Sequence, residues 1–135
     1  MDTVSKEVRS RNMAAIKSKN TKPEIAVRKF LHSSGYRYRL HRKDLPGKPD
    51  IVLKKYHKVI FVHGCFWHNH PNCKKSGIPK TNTSFWKDKI DKNVFRDEKN
   101  ICELESDGWN VYIVWECETE NKTSLTNKIN EIFRT

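Results

Sequence analysis

Gly47-Lys48-Pro49-Asp50-Ile51-Val52-Leu53, a polar turn at Lys54 to His57, and then Val59-Ile60-Phe61-Val62-His63-Gly64-Cys65 is the stretch that decides the fold. Asp50 to Leu53 predicts a strand approached through the turn-forming Leu45-Pro46-Gly47-Lys48-Pro49. Val59 to Val62 is an unbroken apolar run, the mark of a central strand covered on both faces. Outward toward the N-terminus, Tyr36-Arg37-Tyr38-Arg39-Leu40 alternates with period two and predicts a half-buried strand. Thr21-Lys22-Pro23-Glu24 is a capping box, in which the Thr21 hydroxyl can accept from the Glu24 amide and Pro23 suits the first turn. The helix it opens presents Ile25, Val27, Phe30 and Leu31 to a core and stops at Gly35. Outward toward the C-terminus, Ser84 to Ser106 is helical in pattern; a continuous helix and one broken near Asp91-Lys92 both fit. Val94, Asp97, Ile101 and Leu104 share one face of it, while Cys102 and Phe85 read as core residues. Val111 to Trp115 predicts another buried strand after Gly108, and Leu125, Ile129, Ile132 and Phe133 a closing helix. The expected architecture is α/β, a mixed central β-sheet flanked by helices.

The chain has 135 residues and a formal charge of +11. Residues 1–58 carry 16 Lys and Arg against 5 Asp and Glu, whereas residues 59–135 carry 11 of each, so the whole excess lies in the first part. A one-sided basic field attracts polyanions, and nucleic acid is the leading partner; an ordinary solvated lysine surface is the alternative. No apolar run reaches the roughly eighteen residues of a membrane span. Met1 to Lys6 lacks the apolar core of a secretory signal, which implies a cytoplasmic, reducing setting in which the four cysteines are not a disulfide framework. Residues 1–20 read as a basic N-terminal arm and residues 21–135 as a single domain with a metal-tied loop.

The densest chemistry is His63-Gly64-Cys65-Phe66-Trp67-His68-Asn69-His70-Pro71-Asn72-Cys73. Cys65, His70 and Cys73 can wrap one ion, and Cys117, just past the last strand, can complete a tetrahedral Cys3His zinc site. The spacing is not that of a familiar zinc finger, and reduced thiols with solvent-facing imidazoles remain open. Asp50 opens one strand and His63 closes the next, a layout that resembles the PD-(D/E)xK nuclease core. Phe61 stands where that motif has its acid and His63 where it has its lysine, so Asp50 is the one carboxylate of these strands able to ligate magnesium, with a carbonyl near Val62 and water completing the shell. An Asp capping the turn is the plain alternative. His68 is a candidate general base and Asp97 its candidate partner, unless the helix phase is misassigned. Phe66, Trp67 and Trp86 can stack on bases or wedge between base steps.

The strings Gly-Lys-Pro-Asp at 47–50, Val-Ile-Phe-Val-His-Gly-Cys-Phe-Trp-His at 59–68, Phe-Trp at 85–86, Lys-Asn-Val-Phe-Arg-Asp at 92–97, Gly-Trp at 108–109 and Val-Trp-Glu-Cys at 114–117 resemble the very-short-patch-repair DNA mismatch endonucleases, as do Arg9 to Met13 and Thr21 to Glu24. The resemblance implies a restriction-endonuclease-like fold, a bacterial, nucleoid-associated monomer, double-stranded DNA with a T:G mismatch as substrate and a nick on the 5′ side of the thymine; contact with mismatch-repair proteins stays open. It implies that Asp50 and the Val62 carbonyl hold Mg2+, that His68 is the base held by Asp97, that His63 is a further catalytic imidazole and that Glu24 supports the metal-water network. It also implies Zn2+ on Cys65, His70, Cys73 and Cys117, a wedge of Phe66, Trp67 and Trp86, and DNA contacts from Arg11 and Met13. The chain departs from the family in the interval His68-Asn69-His70-Pro71-Asn72-Cys73, which is one residue longer than usual, and in carrying Val62 where a threonine is frequent. A related nickase without mismatch preference and a non-catalytic zinc-stabilised DNA-binding module are the competing readings.

Overall fold

The computed structural model describes residues 20–134. Helix α1 (Lys22–Ser33) is followed by strands β1 (Arg39–Leu40), β2 (Ile51–Leu53) and β3 (Lys58–His63), helix α2 (Thr83–Ser106), strand β4 (Asn110–Trp115) and helix α3 (Lys122–Arg134). Single-turn 3-10 segments cover Lys54–Tyr56 and Glu116–Thr119. The four strands form one sheet in chain order, β1 to β3 antiparallel and β4 parallel to β3. The element order and the mixed sheet flanked by helices follow the expectation.

Strand pleating divides the core. Ile51, Leu53, Ile60 and Val114 point to Val27 and Leu31 of α1 and to Leu125, Ile129 and Ile132 of α3. Val52, Val59 and Phe61 point the other way, against Leu104 of α2. Alternation along β2 and β3 therefore feeds two opposite layers, and that is why both strands are apolar at nearly every position. Each fully buried Leu or Ile contributes about 1.5–3 kcal/mol of transfer free energy, enough to fix the register.

Several local expectations change. The Tyr36–Leu40 strand shrinks to two residues because Tyr36 stacks on Phe133 at 3.9 Å and Tyr38 donates its hydroxyl to the Arg28 carbonyl, so helix packing replaces ladder pairing. Helix α2 runs without a break through Asp91-Lys92. On α1, Glu24 rather than Ile25 shares the buried stripe of Val27 and Leu31. Cys102 and Phe85 are exposed, each lying one residue, or roughly 100°, around α2 from its inward neighbours Ile101 and Trp86. Strand β4 is buried only at Val114, as suits an edge. Of the expected arm only Asn20 lies among the described residues; Arg11 and Met13 lie outside them.

The register puts one end of the sheet to use. Because β2 and β3 are antiparallel with Ile51 opposite Ile60, Asp50 lies beside the end of β3. Because β3 and β4 are parallel with His63 opposite Trp115, the chain after β4 meets the loop after β3.

Candidate active site and metal centre

Asp50 stands just before β2, and its Oδ2 accepts the Val62 N–H at 2.7 Å. Gly47 makes the preceding turn possible: its φ is +75°, and a Cβ there would lie 2.9 Å from the Asn100 side chain. Glu24 is 2% exposed. Its Oε1 lies 2.9 Å from His41 Nε2, while its Oε2 accepts the Asn20 N–H at 3.1 Å and lies 3.3 Å from Arg28 Nη1. Ligand atoms of Glu24, His41 and Asp50 all fall within 4.8 Å of one another. Burial raises the Asp50 carboxyl to about 7, with the Val62 N–H opposing the rise and the Glu24 carboxylate adding to it. A buried carboxyl that gives up its proton only near neutrality, beside a second carboxylate, suits a hard divalent cation. The oxygen donors therefore fit Mg2+.

His68 lies on the loop after β3, where its N–H reaches the Gly64 carbonyl at 3.2 Å. Its Nδ1 is 2.6 Å from Asp97 Oδ2 on α2. Donation from Nδ1 to a carboxylate leaves Nε2 as the lone-pair nitrogen, the tautomer a base requires. The His63 ring stacks on His68 at 3.8 Å and 7°. Burial drives His63 down to about 3, the neighbouring His68 lowering it further and Asp97 opposing, so His63 is neutral at pH 7. Its buried Nδ1 has no hydrogen-bond partner among the described residues. An orphaned buried nitrogen costs about 1–3 kcal/mol, a sign of a site built for something other than stability.

A cleft of about 910 Å³ opens onto Glu24, Asp50, Val62, Phe66, Trp67 and His68. A second cavity of about 590 Å³ reaches Asp50, His63, His68 and Asp97 from the side of Lys48. At the cleft wall, Phe66, Trp67 and Trp86 form a triangle with ring centroids 5.0, 5.5 and 5.7 Å apart. Asn93 Nδ2 donates to the Trp67 carbonyl at 3.1 Å, and Lys89 Nζ lies 5.7 Å from the Trp67 ring.

The second cluster adjoins the first. Cys65, His70, Cys73 and Cys117 offer ligand atoms all within 4.8 Å of one another. Cys117 Sγ is 3.5 Å from His70 Nδ1. A tetrahedron with bonds of about 2.3 Å to sulfur and 2.0 Å to nitrogen has S···N edges of about 3.5 Å, so the four groups fit Zn2+. The loop is held for this purpose: the His70 N–H reaches the Cys65 carbonyl, the Ser76 hydroxyl reaches the His70 and Cys73 carbonyls, and the His70 ring stacks on Trp115 at 4.2 Å. Burial pushes the Cys65 thiol up to about 12, while the backbone N–H of Lys75 is the main cause that lowers Cys73. The extra residue between His68 and Cys73 is absorbed with left-handed Asn69 and Asn72, and His70 is the imidazole brought to the thiols.

Sequence reasoning missed His41, Lys48, Lys89, Asn93 and Arg96, which the structure brings to the site; Arg96 lines both cavities. On α2 the signal was present, since Trp86, Lys89, Asn93 and Asp97 stand at offsets 0, 3, 7 and 11 and share one face. His41 opens the irregular segment between β1 and β2, so nothing in its neighbours announces Glu24.

Residues 1–75 match the family model described as DNA mismatch endonuclease Vsr. The chain is 52% identical over 133 residues to a type II nicking enzyme of Neisseria meningitidis serogroup A, covering 98% of this chain and 94% of the relative. It is 47% identical over 132 residues to a type II nicking enzyme of Xanthomonas oryzae pv. oryzae, covering 98% and 96%. It is 43% identical over 127 residues to the DNA mismatch endonuclease Vsr of Escherichia coli, covering 94% and 81%.

Proposed function

This chain belongs to the DNA mismatch endonuclease Vsr family and is a DNA nicking endonuclease; from that premise we propose that it hydrolyses one strand of duplex DNA in the Asp50–His68 cleft. The observation that carries the reading is the 2.6 Å His68–Asp97 contact opening on the same cleft as Asp50. His68 takes the proton of the attacking water at Nε2, and Asp97 holds the ring and stabilises the imidazolium, a contribution of about 10²–10⁴-fold in rate. Asp50, the Val62 carbonyl and Glu24 would hold Mg2+, which when bound neutralises charge on the scissile phosphate and favours ionisation of water. Neutral His63 offers a second imidazole beside the phosphate, and Arg96 a positive charge at the junction of the two cavities. The Zn2+ of Cys65, His70, Cys73 and Cys117 pins the loop that carries His68. Phe66, Trp67 and Trp86 lie against the bases, with Arg11 and Met13 adding contacts from the arm of residues 1–20.

The relatives at 52% and 47% identity are named as nicking enzymes, a name that mentions no mismatch. That favours strand nicking as the primary statement. Dependence on a T:G mismatch is the finer reading, supported by the aromatic triangle, which suits unstacked base steps. The test is a denaturing-gel assay with magnesium and duplexes that differ only in T:G against T:A at one position. A single-strand product 5′ to the thymine in the T:G duplex alone supports the finer reading. Equal nicking of the paired duplex leaves a restriction-type nickase. Absence of any product across several sequence contexts, with folded and zinc-loaded protein, sinks both.

A further inference from the structure

A groove of about 690 Å³ lies at the other end of β2 from Asp50. Arg37, Arg39, Lys54, Lys55 and His32 line it together with tyrosines, and no Asp or Glu does. The four Lys and Arg side chains are exposed and take part in no ion pair among the described residues. In contrast, Arg28 and Arg42, from the same basic half of the chain, are paired with Glu24 and Asp44. The tyrosines of the groove are packed in place. Tyr36 is clamped between Phe133, stacked at 3.9 Å, and Tyr56, edge-on at 5.7 Å, and the Tyr38 hydroxyl is tied to the Arg28 carbonyl.

Four like charges converging on one concavity repel one another, and no carboxylate among the described lining residues offsets them; a polyanion does so, releasing its counterions. At a rise of about 3.3 Å per residue, Lys54 is about 13 Å from Asp50 along β2, which corresponds to roughly four base-pair steps of duplex. We propose that the groove of Arg37, Arg39, Lys54 and Lys55 is a second DNA-binding site that grips the phosphates of the duplex flanking the nick, separate from the catalytic cleft. The proposal rests on the reading of duplex DNA as substrate. It makes binding depend on the length of one flank: a duplex cut to two base pairs on the groove's side of the nick, with ten on the other, cannot reach the groove, and one extending ten base pairs on both sides can.

The experiment is an equilibrium titration of end-labelled duplexes of these two lengths, in magnesium-free buffer at several salt concentrations, with zinc-loaded protein. Wild-type protein is expected to bind the long duplex at least about tenfold more tightly at 0.1 M salt. Arg37→Gln/Arg39→Gln/Lys54→Gln/Lys55→Gln is expected to lose that gain, with its salt slope lower by about 2–4, while its affinity for the short duplex and, in a parallel assay with magnesium, its single-turnover nicking of it stay at wild-type values. Should the fourfold variant fold poorly, Lys54→Gln/Lys55→Gln, confined to an exposed turn, is expected to show about half the loss in slope. An unchanged gain and slope in either folded variant overturns the proposal. So does an equal loss on the short duplex, which would place these residues in the catalytic cleft, or equal binding of wild-type and variant DNA complexes alongside variant-sensitive binding to phosphatidylserine vesicles. If wild-type protein binds with the expected length dependence but nicks nothing once magnesium is supplied, the groove stands and the nickase reading falls.

Discussion

The Cys65 cluster and the Asp50–His68 cluster lie at one end of one sheet and draw on neighbouring residues, yet they have opposite characters. In the first, four donors converge on one another, a closed set suited to Zn2+. In the second, donors are left open: among the described residues His63 Nδ1 has no partner and His68 is bound at Nδ1 alone, and Asp50 holds its proton to about 7. A closed set stabilises a fold, whereas an open one is kept at a cost in stability because it acts on something else. Nearness along the chain therefore says little about role; what decides it is whether each donor is already satisfied.

The largest effect that would break this contrast is expected at the closed set. Cys65→Ser, or removal of zinc by a strong chelator, is expected to cost several kcal/mol of stability and about one equivalent of zinc, because metal binding is folding free energy for this loop. Thermal unfolding with metal analysis on the same samples checks it; an unchanged midpoint with no bound zinc would make the cluster a set of ordinary thiols. Next in size is Gly47→Ala, which strains the turn at φ +75° and crowds Asn100. A loss of about 1–3 kcal/mol is expected in denaturant unfolding. A wild-type midpoint would detach that turn from the placement of Asp50.

A smaller effect, of opposite sign, is expected at the open set. Asp50 has a folded value of about 7 against an ordinary 3.8. The folded state thus keeps a proton the unfolded chain has lost, and this group's contribution to stability falls as pH rises from about 4 to 7. His63, lowered from 6.5 to about 3, acts oppositely: the unfolded chain binds the proton, and stability rises over about pH 3 to 6.5. The two slopes offset each other in the wild type. Asp50→Asn removes the first, so in magnesium-free, zinc-loaded protein it is expected to be as stable as wild type near pH 4 and more stable by about 1 kcal/mol or more at pH 7. Urea titrations at the two pH values measure this. A variant less stable than wild type at pH 7 would make Asp50 a structural residue.

The same contrast explains what could be read from sequence. The zinc quartet has three of its members within nine residues, and β3 is a continuous apolar run, so both were visible as strings. Asp97 was found because a carboxylate on an apolar helix face is conspicuous. Glu24 was assigned to the site only by resemblance, since its place on the buried stripe of α1 depends on His41 and Arg28 folding over it. The shortening of β1 was hidden for a like reason, as Tyr36 is captured by Phe133, nearly a hundred residues away. Local pattern reports which residues are unusual, and tertiary contact decides which of them are left unsatisfied.

The most direct test of the account is the single-turnover nicking rate of His68→Ala on a T:G duplex with magnesium, measured on protein whose zinc content and thermal midpoint match wild type. A fall of about 10²–10⁴-fold is predicted for loss of the base. A rate within a few-fold of wild type would contradict the assignment of the open cluster as the catalytic centre.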